Sequence, residues 1–306
     1  MSQDAEKSQR KEAREHAREV RAQYAHEMGT PQLPEEVPGF NEFGHIPFDH
    51  LHNTRDLGGL PAADGRRIRP AKLLRSGCLH KASEQDVARL LADYHLEGVV
   101  DFRTALEREK EPDPRDRMEG VVFYDFPAFD EETVGITHGA SLAEDMKAFS
   151  AAAATPHQMV MDVYPQALLG KTGLASYASF MDVLLEGDGG AYLWHCTEGK
   201  DRAGLGAVIV ERALGVPEEY VRQDYLATNL FVRNRAEGLL DEISRRLGVL
   251  KVLDAEVDSL FYAFADYYEC AMNAVDEQFG SFDNYLAEGL NFGLEKQQAL
   301  REKYLV

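Results

Sequence analysis

The stretch Trp194-His195-Cys196-Thr197-Glu198-Gly199-Lys200-Asp201-Arg202-Ala203-Gly204 concentrates reactive side chains in a short space. It follows an apolar run that begins at Ala191 and precedes a helical pattern over 203–214, where Leu205, Val208, Ile209 and Ala213 fall at i, i+3, i+4 and i+8. A strand, a tight loop and a helix N-terminus make an anion site, because unpaired backbone N–H groups and the positive end of the helix dipole converge there. Cys196 at the base of such a loop is placed as a nucleophile, since the same donors stabilise a thiolate. Arg202, where the helix begins, has a planar fork that can hold two oxygens of a tetrahedral phosphate and offset the charge of its transfer. Gly199 permits the turn that aims the amides inward. The competing explanation is a buried small Cys196 and an Arg202 that merely caps a helix, which the strand-loop-helix context disfavours.

The surrounding pattern predicts the elements that must hold this loop. From about Asn53, short apolar runs alternate with longer helical stretches, as in an α/β domain with a largely parallel sheet. The best strands are 98–103, 121–125 and 191–195, each short, rich in β-branched or aromatic residues and bounded by Gly or polar residues. Residues 83–94 and 174–185 predict helices, and after Pro217 the chain reads as helical over 218–246, 254–279 and 295–304. Residues 130–170 lack strand character and exceed an ordinary connection. Ser141 opens a capping-box pattern with Glu144, and a second helix restarts at Thr155-Pro156, so a helical lid over the loop or a permanently packed pair of helices both fit.

The His195-Cys196-x5-Arg202 spacing resembles that of the cysteine-dependent protein tyrosine phosphatase superfamily, and residues 195–204 look like the loop of its bacterial atypical branch, which acts on phosphotyrosine and phosphoinositides. Further matches stand in the right order: Asn53-Thr-Arg-Asp-Leu-Gly-Gly59, Arg75-Ser-Gly77, and Val100-Asp-Phe-Arg103 followed by Glu107. The likeness runs from about residue 50 to 300, with 130–170 poorly matched. It implies a tyrosine-phosphatase-like fold, a central, largely parallel sheet flanked by helices, with a helical insertion and a helical C-terminal layer. It also implies hydrolysis through a phosphocysteine on Cys196, with Arg202 and the loop residues Thr197, Glu198, Gly199, Lys200 and Ala203 around the substrate. His195 is expected to position the loop, because the nucleophile needs no separate base.

Cysteine phosphatases need an acid to protonate the leaving oxygen. Asp201, beside Arg202, is similar to the acid of myotubularin-like lipid phosphatases and is the first candidate. Asp101, at a strand end, is the second, and Asp130 to Glu132 come third. Lys200 adds a cation that suits a substrate with more than one phosphate, such as a phosphoinositide headgroup. Arg55, Arg75 and Arg103 could bind phosphate or brace loops through carboxylates. Ala203 departs from the family pattern, which has Ser or Thr after the Arg to help expel the thiolate, and so raises the alternative of a phospho-ligand-binding pseudophosphatase with slow or no turnover. A phytase-like enzyme would share the nucleophile but need a broader basic pocket.

Composition narrows the partners. The chain has 306 residues, with 33 Lys and Arg against 53 Asp and Glu, a formal charge of −20. Such an acidic surface repels phosphate backbones, which excludes a general nucleic-acid binder, and any anionic substrate must be caught by a local positive site. No apolar run approaches the roughly 18 residues of a membrane span. Residues 1–28 read as a charged arm, helical or disordered, set off by the proline-rich 31–38 from a phosphatase domain over 29–306. They have no secretory h-region, and three cysteines are too few for a disulfide framework, so a cytoplasmic protein is expected. Gly170-Lys171-Thr172 lacks the upstream glycine of a nucleotide P-loop, and no spacing of His, Cys and carboxylates suggests a metal. No cofactor is expected.

Overall fold

The computed structural model describes residues 31–130, 156–247 and 261–306, without the side chains of 156 and 233–247. A five-stranded sheet forms its centre, in the order β1 (Arg55–Asp56), β2 (Leu73–Ser76), β5 (Ala191–His195), β3 (Leu96–Asp101), β4 (Val122–Asp125). Only the short edge strand β1 runs antiparallel, Arg55 facing Arg75. The middle strand β5 is buried along its whole length and pairs in parallel with β2 and β3, Ser76 and Asp101 both in register with His195. All three ends therefore deliver their C-terminal loops to one rim, where ligands bind in open parallel sheets.

Alternation along the strands builds two layers. Leu73, Val100, Tyr192 and Trp194 point into the larger core, and Leu74, Val99, Ala191 and Leu193 into the smaller one. The smaller layer is closed by α1 (Glu84–Ala92), whose first turn is fixed by a Ser83–Asp86 capping box. Helix α2 (Ala105–Lys110) starts with the same device, Thr104 with Glu107. The larger layer is helical: α3 (Pro156–Leu169), α4 (Lys171–Glu186), α5 (Arg202–Leu214), α6 (Glu218–Leu247), α7 (Ala265–Phe279) and α8 (Leu294–Tyr304).

Strands and helices agree with the expected mostly parallel α/β fold, with two differences. β2 was not anticipated as a strand: Leu-Leu-Arg-Ser lacks β-branched residues, and its arginine looks external until its buried partner is known. Helix α7 begins at Ala265, and of the helix expected over 254–279, residues 254–260 lie outside the described residues. Ala263 pairs its N–H and C=O with the Asn229 side chain at 2.8 Å each, and Phe264 after it is extended, so the described chain is non-helical over 262–264. Of the proposed lid, 131–155 lie outside the described residues, as does the arm 1–28. The rest of that insertion, α3, buries Val160, Val163, Tyr164, Ala167 and Leu168 in the main core. Among the described residues, no helix is long and apolar enough to cross a membrane.

Candidate active site

Residues 196–201 turn from the end of β5 into α5, and each neighbour of β5 ties the turn down. Cys78, beyond β2, donates its N–H to the Thr197 carbonyl at 3.0 Å, and Phe102, beyond β3, donates to the His195 carbonyl at 3.0 Å. Gly199 has φ +69°, and a Cβ there would lie 2.5 Å from the Ser76 carbonyl oxygen, so the turn requires glycine. Asn53 donates to the Glu198 carbonyl at 3.2 Å, and the Glu198 carboxylate lies 3.1 Å from His52. Within the first turn of α5, Tyr177 donates to the Arg202 carbonyl and the Trp194 indole to that of Ala203. None of the amides of Thr197, Gly199, Asp201 and Arg202 donates to an acceptor among the described residues, the arrangement of an anion-binding cradle.

Cys196 and Arg202 are both buried, at 2% and 1% exposure. The Arg202 guanidinium meets Glu107 with Nη1 at 2.7 Å from Oε2 and Nη2 at 2.8 Å from Oε1. Nη2 also reaches the Thr197 hydroxyl at 3.2 Å, and that hydroxyl donates to Glu107 at 2.7 Å. Burial pushes the Glu107 carboxyl up, but the Arg202 cation outweighs it and holds it well below the usual carboxylate range. Arg202 is in turn held charged against burial, chiefly by Glu107, with Cys196 and Asp201 also within electrostatic reach. Its Nε is buried with no hydrogen-bond partner among the described residues. The Nη groups are thus spent on Glu107 and Thr197, and Nε remains for an anion.

His195 faces away from the cradle. Nδ1 lies 3.1 Å from the Cys196 carbonyl and Nε2 3.1 Å from Asp113. Burial alone would lower its pKa, yet Asp113 and then Asp101 outweigh burial and raise it, and both ring nitrogens face oxygen acceptors. Asp101 sits in the same cluster, where it accepts from the Arg103 N–H, Nε and Nη2 at 2.8 to 3.1 Å. Arg103 also binds Asp113 at 2.9 Å. The second candidate acid is therefore engaged in bracing, with its oxygens taken by an arginine.

Asp201 has a different setting. It stands at the N-cap of α5, but its side chain makes no capping bond. Oδ1 instead accepts from the Tyr164 hydroxyl at 2.5 Å and lies 3.2 Å from Lys200 Nζ. Lys200 is 2% exposed, which rules out a solvent-facing lysine, and it also donates to the Tyr262 carbonyl at 3.3 Å. Ala203 is fully buried. Asp130 is exposed and accepts from Thr172 at 2.6 Å, while 131 and 132 lie outside the described residues.

Arg55 and Arg75 take the bracing role. Both bind Asp224 of α6, at 2.7 and 2.8 Å, and Arg75 also donates to the Gly199 carbonyl at 3.0 Å. Burial first, and then the Arg75 cation, push Arg55 down to about 9. Asp224, Asp113, Tyr164 and Tyr225 carry no motif signal of their own. Glu107 did carry one, since Thr104-Ala-Leu-Glu107 fits a capping box, but only contact across the fold connects it to Arg202.

Among the described residues, two groups of side chains bring metal-ligand donor types within 4.8 Å of one another, Asp101 with Asp113 and His195, and Cys78 with His80 and Glu111. In the first, Arg103 already supplies the cation between the two carboxylates. In the second, His80 turns Nδ1 to the thiol at 3.0 Å and Nε2 to Glu111 at 3.4 Å.

Comparison with known proteins agrees with this geometry. Residues 46–306 match the model of the tyrosine phosphatase family. A protein of Cupriavidus necator, named provisionally as a tyrosine-protein phosphatase, is 34% identical over 261 residues, 85% of this chain and 88% of that protein. The triple specificity protein phosphatase PtpB of Mycobacterium tuberculosis is 29% identical over 113 residues, 35% of this chain and 41% of that protein.

Proposed function

The chain belongs to the tyrosine phosphatase family and is a phosphoric monoester hydrolase, and from that premise we propose that it works through a phosphocysteine on Cys196. The observation that carries this is the position of Arg202: its Nη groups are locked to Glu107, its Nε has no partner among the described residues, and it opens the same helix N-terminus that the Cys196 loop leads into. A phosphate held by Arg202 and the loop amides lies over the thiolate, which attacks phosphorus in line as the ester P–O bond breaks. Asp201 gives its proton to the leaving oxygen. Water then attacks the phosphocysteine, Asp201 takes the proton from that water, and the P–S bond breaks to return the thiolate and release phosphate. His195 positions the loop through the Cys196 carbonyl. Thr197, Glu198, Gly199 and Ala203 contribute loop backbone to the phosphate site.

The substrate class is phosphotyrosine protein, phosphoinositide, or both, and the support for the second is Lys200, a buried cation beside Asp201. The site of action is taken as the cytoplasm. Cys196→Ser should abolish phosphate release while keeping substrate binding, and chelators should leave wild-type activity intact. Activity surviving in Cys196→Ser, or lost on chelation, contradicts the mechanism. A panel of phosphotyrosine peptides, phosphoserine peptides and phosphoinositides, with vanadate controls, assigns the substrate.

A further inference from the structure

Asp201 is an aspartate at an N-cap that does not cap. Asp is favoured there because its side chain accepts from the second or third amide of the helix, yet this carboxylate is turned to Tyr164 on α3. Tyr164 in turn accepts from the Tyr225 hydroxyl of α6 at 2.8 Å, and both phenols are buried. Burial first, with the neighbouring Asp201 adding to it, pushes both phenols well above the usual tyrosine range, so each stays a neutral donor. Because each hydroxyl has one proton, the line runs one way, from Tyr225 to Tyr164 to Asp201 Oδ1.

That direction has a chemical consequence. Oδ1 accepts from Tyr164 whether Asp201 is ionised or protonated, and Lys200 Nζ flanks the same oxygen at 3.2 Å. The proton that Asp201 gains and loses is therefore carried on Oδ2. The helix that supplies Tyr164 is itself secured at this point. Pro165 has no N–H for the Met161 carbonyl, which is met instead by the Cys270 thiol at 3.5 Å.

We propose that Tyr164, held by Tyr225, is a positioning residue that clamps Oδ1 of Asp201 and presents Oδ2 as the proton-bearing oxygen. This rests on the assignment of Asp201 as the acid. The test measures kcat and KM for Tyr164→Phe, Tyr225→Phe and Asp201→Asn on a series of aryl phosphates with leaving groups from activated to poor, across pH. Losing a hydrogen bond to a charged group corresponds to roughly ten- to hundredfold. Tyr164→Phe should lose about that much kcat/KM, which reports the step in which the leaving group departs, on poor leaving groups, and much less on nitrophenyl phosphate. The basic limb of its kcat/KM profile should move to higher pH, because the carboxylate loses a donor. Tyr225→Phe should show the same pattern more weakly, and Tyr164→Phe combined with Asp201→Asn should be no slower than Asp201→Asn alone.

If Asp201→Asn penalises poor leaving groups but both Tyr→Phe variants lose activity equally on all substrates, with an unmoved pH limb, the clamp is wrong and the acid assignment stands. If Asp201→Asn treats all leaving groups alike, the acid assignment falls and the clamp with it. Should Tyr164→Phe fail to fold, Tyr225→Phe decides by the same two readouts.

Discussion

Arg202 and Glu107 meet fork to fork at 2.7 and 2.8 Å, so the guanidinium edge that points away from Glu107 is fixed in place before any anion arrives. Removing one partner of a buried ion pair costs about 3–5 kcal/mol, because the other charge is left uncompensated. Glu107→Ala should therefore lower stability by about that amount and also lose the α2 capping box, while Glu107→Gln keeps the shape and should lose less. Chemical denaturation reads both. In activity, both variants should raise KM as well as lower kcat, since a loosened Arg202 binds phosphate poorly in ground and transition states alike.

The acid side of the stability curve tests the same pair. Folding depresses the Glu107 carboxyl below its ordinary value of 4.5. Such a group contributes stability that is complete above its unfolded value and is lost as pH falls through the folded one. Wild-type stability should thus decline as pH is taken down from 4.5, and Glu107→Gln should show a shallower decline. Equal slopes would mean that the carboxylate is not charge-paired.

His195 makes the opposite prediction. Its pKa is raised on folding above 6.5 by Asp113 and Asp101 against the effect of burial. Its contribution is complete below the unfolded value and is lost as pH rises through the folded one. In Asp113→Asn the imidazole should titrate at lower pH than in the wild type, as followed by the ring proton resonances. An unmoved titration would show that Asp113 does not hold the proton on His195.

Much of this was legible in the sequence. The cysteine loop, the helix after it and β3, β4 and β5 follow from local pattern, because a buried parallel strand and a helix start each leave a signature within a few residues. What stayed hidden is long-range pairing. Arg55 and Arg75 could bind phosphate or brace loops until Asp224 is found beside both, nearly 150 residues further on than Arg75. Resemblance favours Asp201 and a strand-end position offers Asp101, and only their partners separate them: Arg103 encloses Asp101, a tyrosine hydroxyl reaches Asp201.

Lys200 bears on substrate choice. If it selects a second anionic group, Lys200→Ala should reduce turnover of phosphoinositides more than that of aryl phosphates, because only the former offer that group. Equal losses on both would give Lys200 no part in selecting a second anionic group.

Ala203 and Thr197 bear on the second step. Thr197 gives its only hydroxyl proton to Glu107, and Ala203 has none, so neither can assist departure of the thiolate. Hydrolysis of the phosphocysteine should then lag its formation, and an activated aryl phosphate should give a burst of product near the enzyme concentration. Ala203→Ser should shrink the burst and raise the steady rate. Fast turnover without a burst rejects the defect, and phosphate binding without turnover on any substrate favours a binding protein.

The phosphocysteine itself can be caught. Wild-type enzyme quenched in acid during turnover of an activated aryl phosphate, then digested and weighed by mass spectrometry, should carry one phosphoryl group on the peptide containing Cys196, and Cys196→Ser should release no phosphate. Turnover with an unmodified Cys196 peptide at every quench time, or with the phosphoryl group on another residue, would contradict the mechanism.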